Sequence, residues 1–151
     1  VGTVGRIEAL PGAPNVIPGL VRTSQEIRDL DAAKIHRLFT AVEEAALAIG
    51  LEDGTAFAFR QTNDNQPAPT DPRIRDVIRR SARELGLSTQ DMPSGAGHDA
   101  QDMAHLGPVG MIFVPSVGGI SHSPRELTRP EDVENGANVL MGAVVELAGR
   151  A

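Results

Sequence analysis

The sequence predicts a mixed architecture, α/β with α+β: a small open-faced α+β layer over residues 1–66, then half of an α/β layer over residues 67–151. Three observations predict it. Strand, strand, helix and strand patterns follow one another in the first stretch. A polar crossing, Thr62 to Pro72, carries three prolines and separates two regions of different pattern. Beyond it the order is helix, strand, helix, strand, helix.

Thr3 to Leu10 alternates as a strand, and Pro11-Gly-Ala-Pro14 is a turn. Asn15-Val-Ile-Pro-Gly19 leads into a second strand, with Leu20, Arg22, Ser24, Glu26 and Arg28 on one face. Two strand patterns joined through a Pro/Gly turn predict an antiparallel pair. Asp31 is the better N-cap for the helix that follows. Its apolar positions are Ile35, Leu38, Phe39, Val42, Ala45, Ala46 and Ile49, with Gly50 expected at C′. Thr55 to Arg60 is expected to be a third strand, with Phe57 and Phe59 on one face.

Asp71 before Pro72 marks a helix start, and Gly86 its end after Leu85. Ile74, Val77, Ile78, Ala82 and Leu85 form the apolar face. Arg73, Arg75, Arg79, Arg80 and Arg83 lie mostly opposite. They are weighed as an anion patch against a solvated face partnered by Asp76 and Glu84, and the second reading is favoured. Leu87 to Met92 is a short strand candidate, and Asp99 to Leu106 a short helix. Met111 to Val114 is a strand expected to be buried on both faces. Thr128 with Glu131 reads as a capping box for a last helix running to the chain end.

Composition narrows the function. At 40% hydrophobic residues a core can form, but aromatics are 3%, with neither Trp nor Tyr to stack on bases. The net charge of −6 argues against a polyanion partner, so no nucleic acid is expected. The absence of cysteine leaves His, Asp and Glu as possible metal ligands. No apolar run approaches the roughly 20 residues of a membrane span, and Val1-Gly-Thr-Val-Gly reads as a strand rather than a signal peptide. A cytoplasmic protein without a membrane partner is expected. With no initiator Met, the chain is expected to begin partway through a longer one.

Four histidines are present. His36, on the first helix, and His105, at the end of a short one, are assigned no function. His98 and His122 each lie in a Gly/Ser loop flanking the Met111 to Val114 strand, where α/β folds place chemistry. Two histidines cannot fill a catalytic metal site, which takes three or more protein ligands. Ser94-Gly-Ala-Gly97 precedes a helix but lacks the Lys-Ser/Thr ending of a phosphate loop. A serine nucleophile at Ser94 or Ser116, with His98 and Asp99, lacks the nucleophile elbow. Arg28 at a strand end can take a carboxylate in bidentate fashion, and Asn15 can add an amide. The alternative is a surface arginine paired to Glu26 or Asp29.

Four motifs together resemble one family: Asn15-Val-Ile-Pro-Gly19, Glu26-Ile-Arg-Asp29, Ser94-Gly-Ala-Gly-His-Asp-Ala-Gln101, and Met111-Ile-Phe-Val-Pro-Ser-Val-Gly-Gly-Ile-Ser-His-Ser-Pro124. The family is the metal-dependent amidohydrolases related to aminoacylase and carboxypeptidase G. The branch resembled comprises N-carbamoyl-L-amino-acid hydrolases, allantoate amidohydrolases and β-ureidopropionases. The resemblance implies a catalytic domain with two divalent ions (Zn, Mn or Co) and an inserted α+β lid that forms a homodimer. Residues 1–66 would be the second part of the lid and residues 67–151 the C-terminal part of the catalytic domain. It implies that His122 is a metal ligand and that Asn15 and Arg28 hold the carboxylate of a small-molecule substrate. Gly97, His98 and Asp99 would line the pocket. In the complete enzyme it implies that the two metals activate a bridging water. The remaining ligands, the general-base Glu and a carbonyl-polarising lid histidine would lie upstream, on a missing N-terminal portion or subunit. No catalytic residue is then expected in this chain, which should be inactive alone. The competing reading is a non-catalytic dimerisation module derived from such an enzyme.

Overall fold

A computed structural model describes residues 1–149, and these form a mixed α/β structure of two units, Val1–Pro67 and the chain from Ala68 onward. In the first unit, β1 (Gly2–Leu10) and β2 (Leu20–Ile27) pair antiparallel, from Leu10 opposite Leu20 to Gly2 opposite Ile27. The register shifts between Val4 and Arg6, which leaves Gly5 as the extra residue of a bulge. Val1 and Arg28 close the far end by exchanging backbone bonds of 2.7 and 2.8 Å.

The helix α1 (Ala32–Asp53) starts where the sequence places it. The Asp31 carboxylate accepts from the N–H groups of Ala33 (2.9 Å) and Lys34 (3.3 Å), and the Lys34 N–H also reaches the Asp31 carbonyl at 3.1 Å. Its end differs from expectation. Gly50 stays helical, and the left-handed C-cap is Gly54 at φ 77°. Gly50 serves close approach instead: a Cβ there would sit 2.5 Å from the Thr55 carbonyl oxygen. The expected third strand, Thr55 to Arg60, does not form. Alternation sets a local extended preference, but a strand also needs a neighbour for its N–H and C=O groups. Among the described residues the sheet has two strands, and Phe57 and Phe59 stay exposed.

In the second unit, α2 (Pro72–Glu84) packs against α4 (Pro130–Ala148). Val77, Ala82, Val139 and Ala143 are buried between them. The buried Ser81 hydroxyl donates to the Val139 carbonyl at 3.0 Å, so the polar group at the contact is satisfied. Gly142 allows this approach: a Cβ there would lie 2.3 Å from Ser81 Oγ. Arg80 and Glu146 pair across the helices at 2.6 Å.

Asp71 caps α2 as expected, accepting from Arg73 N–H at 2.7 Å, and Gly86 follows the helix at φ 73°. The Thr128 capping box does not form. Arg129 is the N-cap, because Pro130 fits the first helical position, where its fixed φ suits the helix. Positions 150 and 151 of the expected last helix lie outside the described residues. The short helix α3 (Asp99–Met103) stops before the expected Leu106. Neither Leu87 to Met92 nor Met111 to Val114 forms a strand. The expected double-sided burial of the second also fails: Met111 and Ile112 are half-buried, while Phe113 and Val114 are exposed.

Gly142→Ala should lower stability by about 1–3 kcal/mol, because the added methyl must displace a buried, bonded hydroxyl. Chemical denaturation measures this, and an unchanged midpoint would refute the close contact.

Candidate functional site

The first unit carries Asn15 and Arg28 at opposite ends of the hairpin. Asn15 lies in the connection between β1 and β2, and Arg28 directly follows β2. Eight strand residues separate those ends by about 25 Å. The two residues therefore do not meet within this unit. Arg28 Nη2 donates to Glu26 Oε2 at 2.7 Å, with both side chains more than half exposed. That bond holds the Glu26 carboxyl below the ordinary carboxylate range and raises the Arg28 guanidinium. An exposed pair of this kind contributes little to stability. Asp29, the other partner considered, pairs with Lys34 at 2.8 Å.

The arginines of α2 form no anion patch. Arg79 pairs with Asp91 at 2.5 Å and also with Asp76. Arg75 donates to the backbone and hydroxyl oxygens of Thr70, and Arg73 pairs with its own N-cap, Asp71. A groove between Pro69–Pro72 and Gly107–Val109, edged by Arg75, contains none of the sequence-predicted residues.

The Gly-rich loop is held together by side chains. Ser94 Oγ lies 2.7 Å from His98 Nε2. The same hydroxyl accepts from Ala96 N–H at 3.2 Å and lies 3.3 Å from the Ala96 carbonyl oxygen. Gln101 Oε1 accepts from His98 N–H at 3.2 Å. The His98 ring stands edge-on to Phe113, centroids 5.7 Å apart, which ties the loop to the Met111 to Val114 segment. His98 is half-buried, while Gly97 and Asp99 are exposed beside it. Phe113 as a partner of His98 is what sequence reasoning missed, while Ser94 beside His98 is weighed there only as a nucleophile. The Ser-x-x-x-His spacing was the available signal, but only the turn brings those side chains together.

The second loop is strained where it matters. A 3-10 turn, Val117–Gly119, places Gly118 and Gly119 at φ 67°, and Ser116 Oγ donates to the Ile120 carbonyl at 2.5 Å. His122 itself has φ 54°, the one left-handed non-glycine residue among those described. Such a conformation costs about 1–2 kcal/mol and collects at functional sites. The His122 N–H donates to Glu126 Oε2 at 2.9 Å, and the imidazole is exposed.

The comparisons with known proteins cover both units. The model of peptidase family M20/M25/M40 matches residues 5–146. The chain belongs to this family. It is 36% identical to a ureidoglycolate hydrolase of Oryza sativa over 149 residues, 98% of this chain and 31% of that one. It is equally identical, at 36%, to an N-carbamoyl-L-amino acid amidohydrolase of Geobacillus stearothermophilus (98% of this chain, 36% of the relative). The allantoate amidohydrolase of Bacillus subtilis also matches at 36%, over 97% of this chain and 35% of that protein. An amidase of the hydantoinase/carbamoylase family from Burkholderia vietnamiensis superposes with a TM-score of 0.87 at 35% identity, covering 97% of this chain and 35% of its own. The chain thus spans about a third of the length of these M20 relatives.

M20 enzymes are generally dinuclear metal enzymes. Among the described residues, no group of three or more His, Asp or Glu stands close enough to hold an ion. The donors among the described residues therefore do not make up a complete two-metal centre. No helix among the described residues is long and apolar enough to cross a membrane.

His122→Gly should raise stability by about 1 kcal/mol, since glycine takes positive φ without the Cβ clash. A lower thermal midpoint would show that the backbone at His122 is unstrained.

Proposed function

We propose that this chain supplies one wall of a metal-dependent amidohydrolase that cleaves a C–N bond in a linear amide of N-carbamoyl, allantoate or ureido-acid type. The observation that carries the reading is the exposed His122, held left-handed in a glycine-rich loop of an M20 chain. The bond from His122 N–H to Glu126 Oε2 holds this backbone and leaves the imidazole facing solvent, as a ligand position requires. His122 offers one donor to a pair of divalent ions, Zn, Mn or Co. The other ligands and the general base belong to protein outside this sequence.

Arg28 holds the substrate carboxylate. The exposed Glu26 carboxylate now on its guanidinium marks the same chemistry, and a ligand carboxylate replaces it. Asn15 contributes an amide to a carboxylate as well. Since Asn15 and Arg28 occupy opposite ends of one hairpin, a single carboxylate receives both only from two copies, which supports a homodimer built through the lid. Gly97, His98 and Asp99 line the pocket on the second unit. Relatives named as hydrolases and amidohydrolases favour the enzyme over a non-catalytic dimerisation module. Three relatives at the same 36% identity carry three substrate names, so overall identity leaves the choice within the class to the pocket walls.

In the complete enzyme, Arg28→Ala should raise KM for a carbamoyl amino acid by about tenfold or more, the loss of a charged hydrogen bond. An unchanged KM would remove Arg28 from the site. His122→Ala should empty one metal position by elemental analysis, and full occupancy would refute its role as ligand.

A further inference from the structure

We propose that Ser94 is a positioning residue that fixes His98 as the Nε2–H tautomer and thereby sets the shape of the Gly-rich loop. A serine hydroxyl has one hydrogen to give and two lone pairs to receive with. Three groups surround Ser94 Oγ: Ala96 N–H at 3.2 Å, the Ala96 carbonyl oxygen at 3.3 Å and His98 Nε2 at 2.7 Å. The amide can only donate and the carbonyl can only accept. All three contacts are satisfied together in one arrangement. The hydroxyl gives its hydrogen to the Ala96 carbonyl and receives from Ala96 N–H and from Nε2–H. The opposite assignment, O–H donating to Nε2, leaves the Ala96 carbonyl without that donor.

The backbone of His98 is fixed independently of its ring. His98 is the N-cap of α3, with Gln101 N–H donating to the His98 carbonyl at 2.8 Å and His98 N–H donating to Gln101 Oε1 at 3.2 Å. Phe113 fixes the ring plane from the side. The imidazole thus links Ser94 to the Phe113 segment and acts as a brace. Ser94, whose hydrogen is given to a carbonyl, is not an activated nucleophile. What the braced loop offers a substrate is Gly97, exposed beside the brace, where no Cβ blocks approach. This last step rests on the reading that the loop lines the substrate pocket.

The test uses 15N-histidine-labelled protein as it is naturally assembled, at a pH above the imidazole range. Long-range 1H–15N correlations identify the protonated nitrogen, with His98 assigned from its loss in His98→Asn. The expected result is Nε2–H in the native protein and in Ser94→Thr, and loss of that single tautomer in Ser94→Ala. With N-carbamoyl amino acid as substrate, Ser94→Ala should lower kcat/KM about tenfold, and Ser94→Thr should restore most of it. Nδ1–H in the native protein, an unchanged tautomer in Ser94→Ala, or labelling of Ser94 by a fluorophosphonate would each overturn the proposal. A lost tautomer with unchanged turnover would uphold the positioning role and overturn the pocket reading alone.

Discussion

The buried centre of the second unit is the clasp of α2 against α4 through Ser81, Val139 and Gly142, with the segment 110–114 packed closely on both helices at Ile74 and Gly136. Both histidine loops lie in the chain between these helices. They contribute almost nothing to the core, since the buried apolar residues all belong to the helices. The clasp has to be tight because it is small: Val77, Ala82, Val139 and Ala143 bury little area, so their stabilisation rests on close fit. A glycine facing a serine permits that fit, and the serine hydroxyl meets a carbonyl rather than being buried alone. The loops are then free to hold conformations that no packing requires, including the left-handed His122.

Local signals were legible in the sequence wherever the physics is local. Asp31 and Asp71 cap because their carboxylates reach N–H groups two or three residues away. The β1–β2 pair follows from alternation around a Pro/Gly connection. Signals that depend on a partner were misread. Thr55 to Arg60 and Met111 to Val114 have strand composition, but no neighbour completes a ladder among the described residues. Gly50 looked like a helix end because glycine is usual there, yet its role is to let Thr55 approach. Thr128 lost the N-cap to the stronger positional demand of Pro130.

The candidate site was legible in a similar way. His98 and His122 stood out as loop histidines, and the motif order pointed to the family to which the chain belongs. The sequence did not show that Asn15 and Arg28 lie too far apart to share one carboxylate in a single copy. Nor did it show that Ser94 and Phe113 hold His98, or that His122 is left-handed. Each of these needs three-dimensional placement, and each changes what a residue can do. Arg28, in turn, shows both readings at once: it pairs with Glu26, as an ordinary surface arginine would, through a contact weak enough for a ligand to displace.

The proposal that stands or falls most directly on measurement is His122 as one donor of a two-metal centre whose other ligands this chain does not supply. Elemental analysis after exhaustive dialysis, on the 151-residue chain alone and on the natural assembly, tests it directly. A chain with one donor should retain well under about 0.1 equivalent of zinc, manganese or cobalt, because tight binding takes three or more ligands. The natural assembly should hold two ions per site and lose one with His122→Ala. Two tightly bound ions on the isolated chain would contradict the claim.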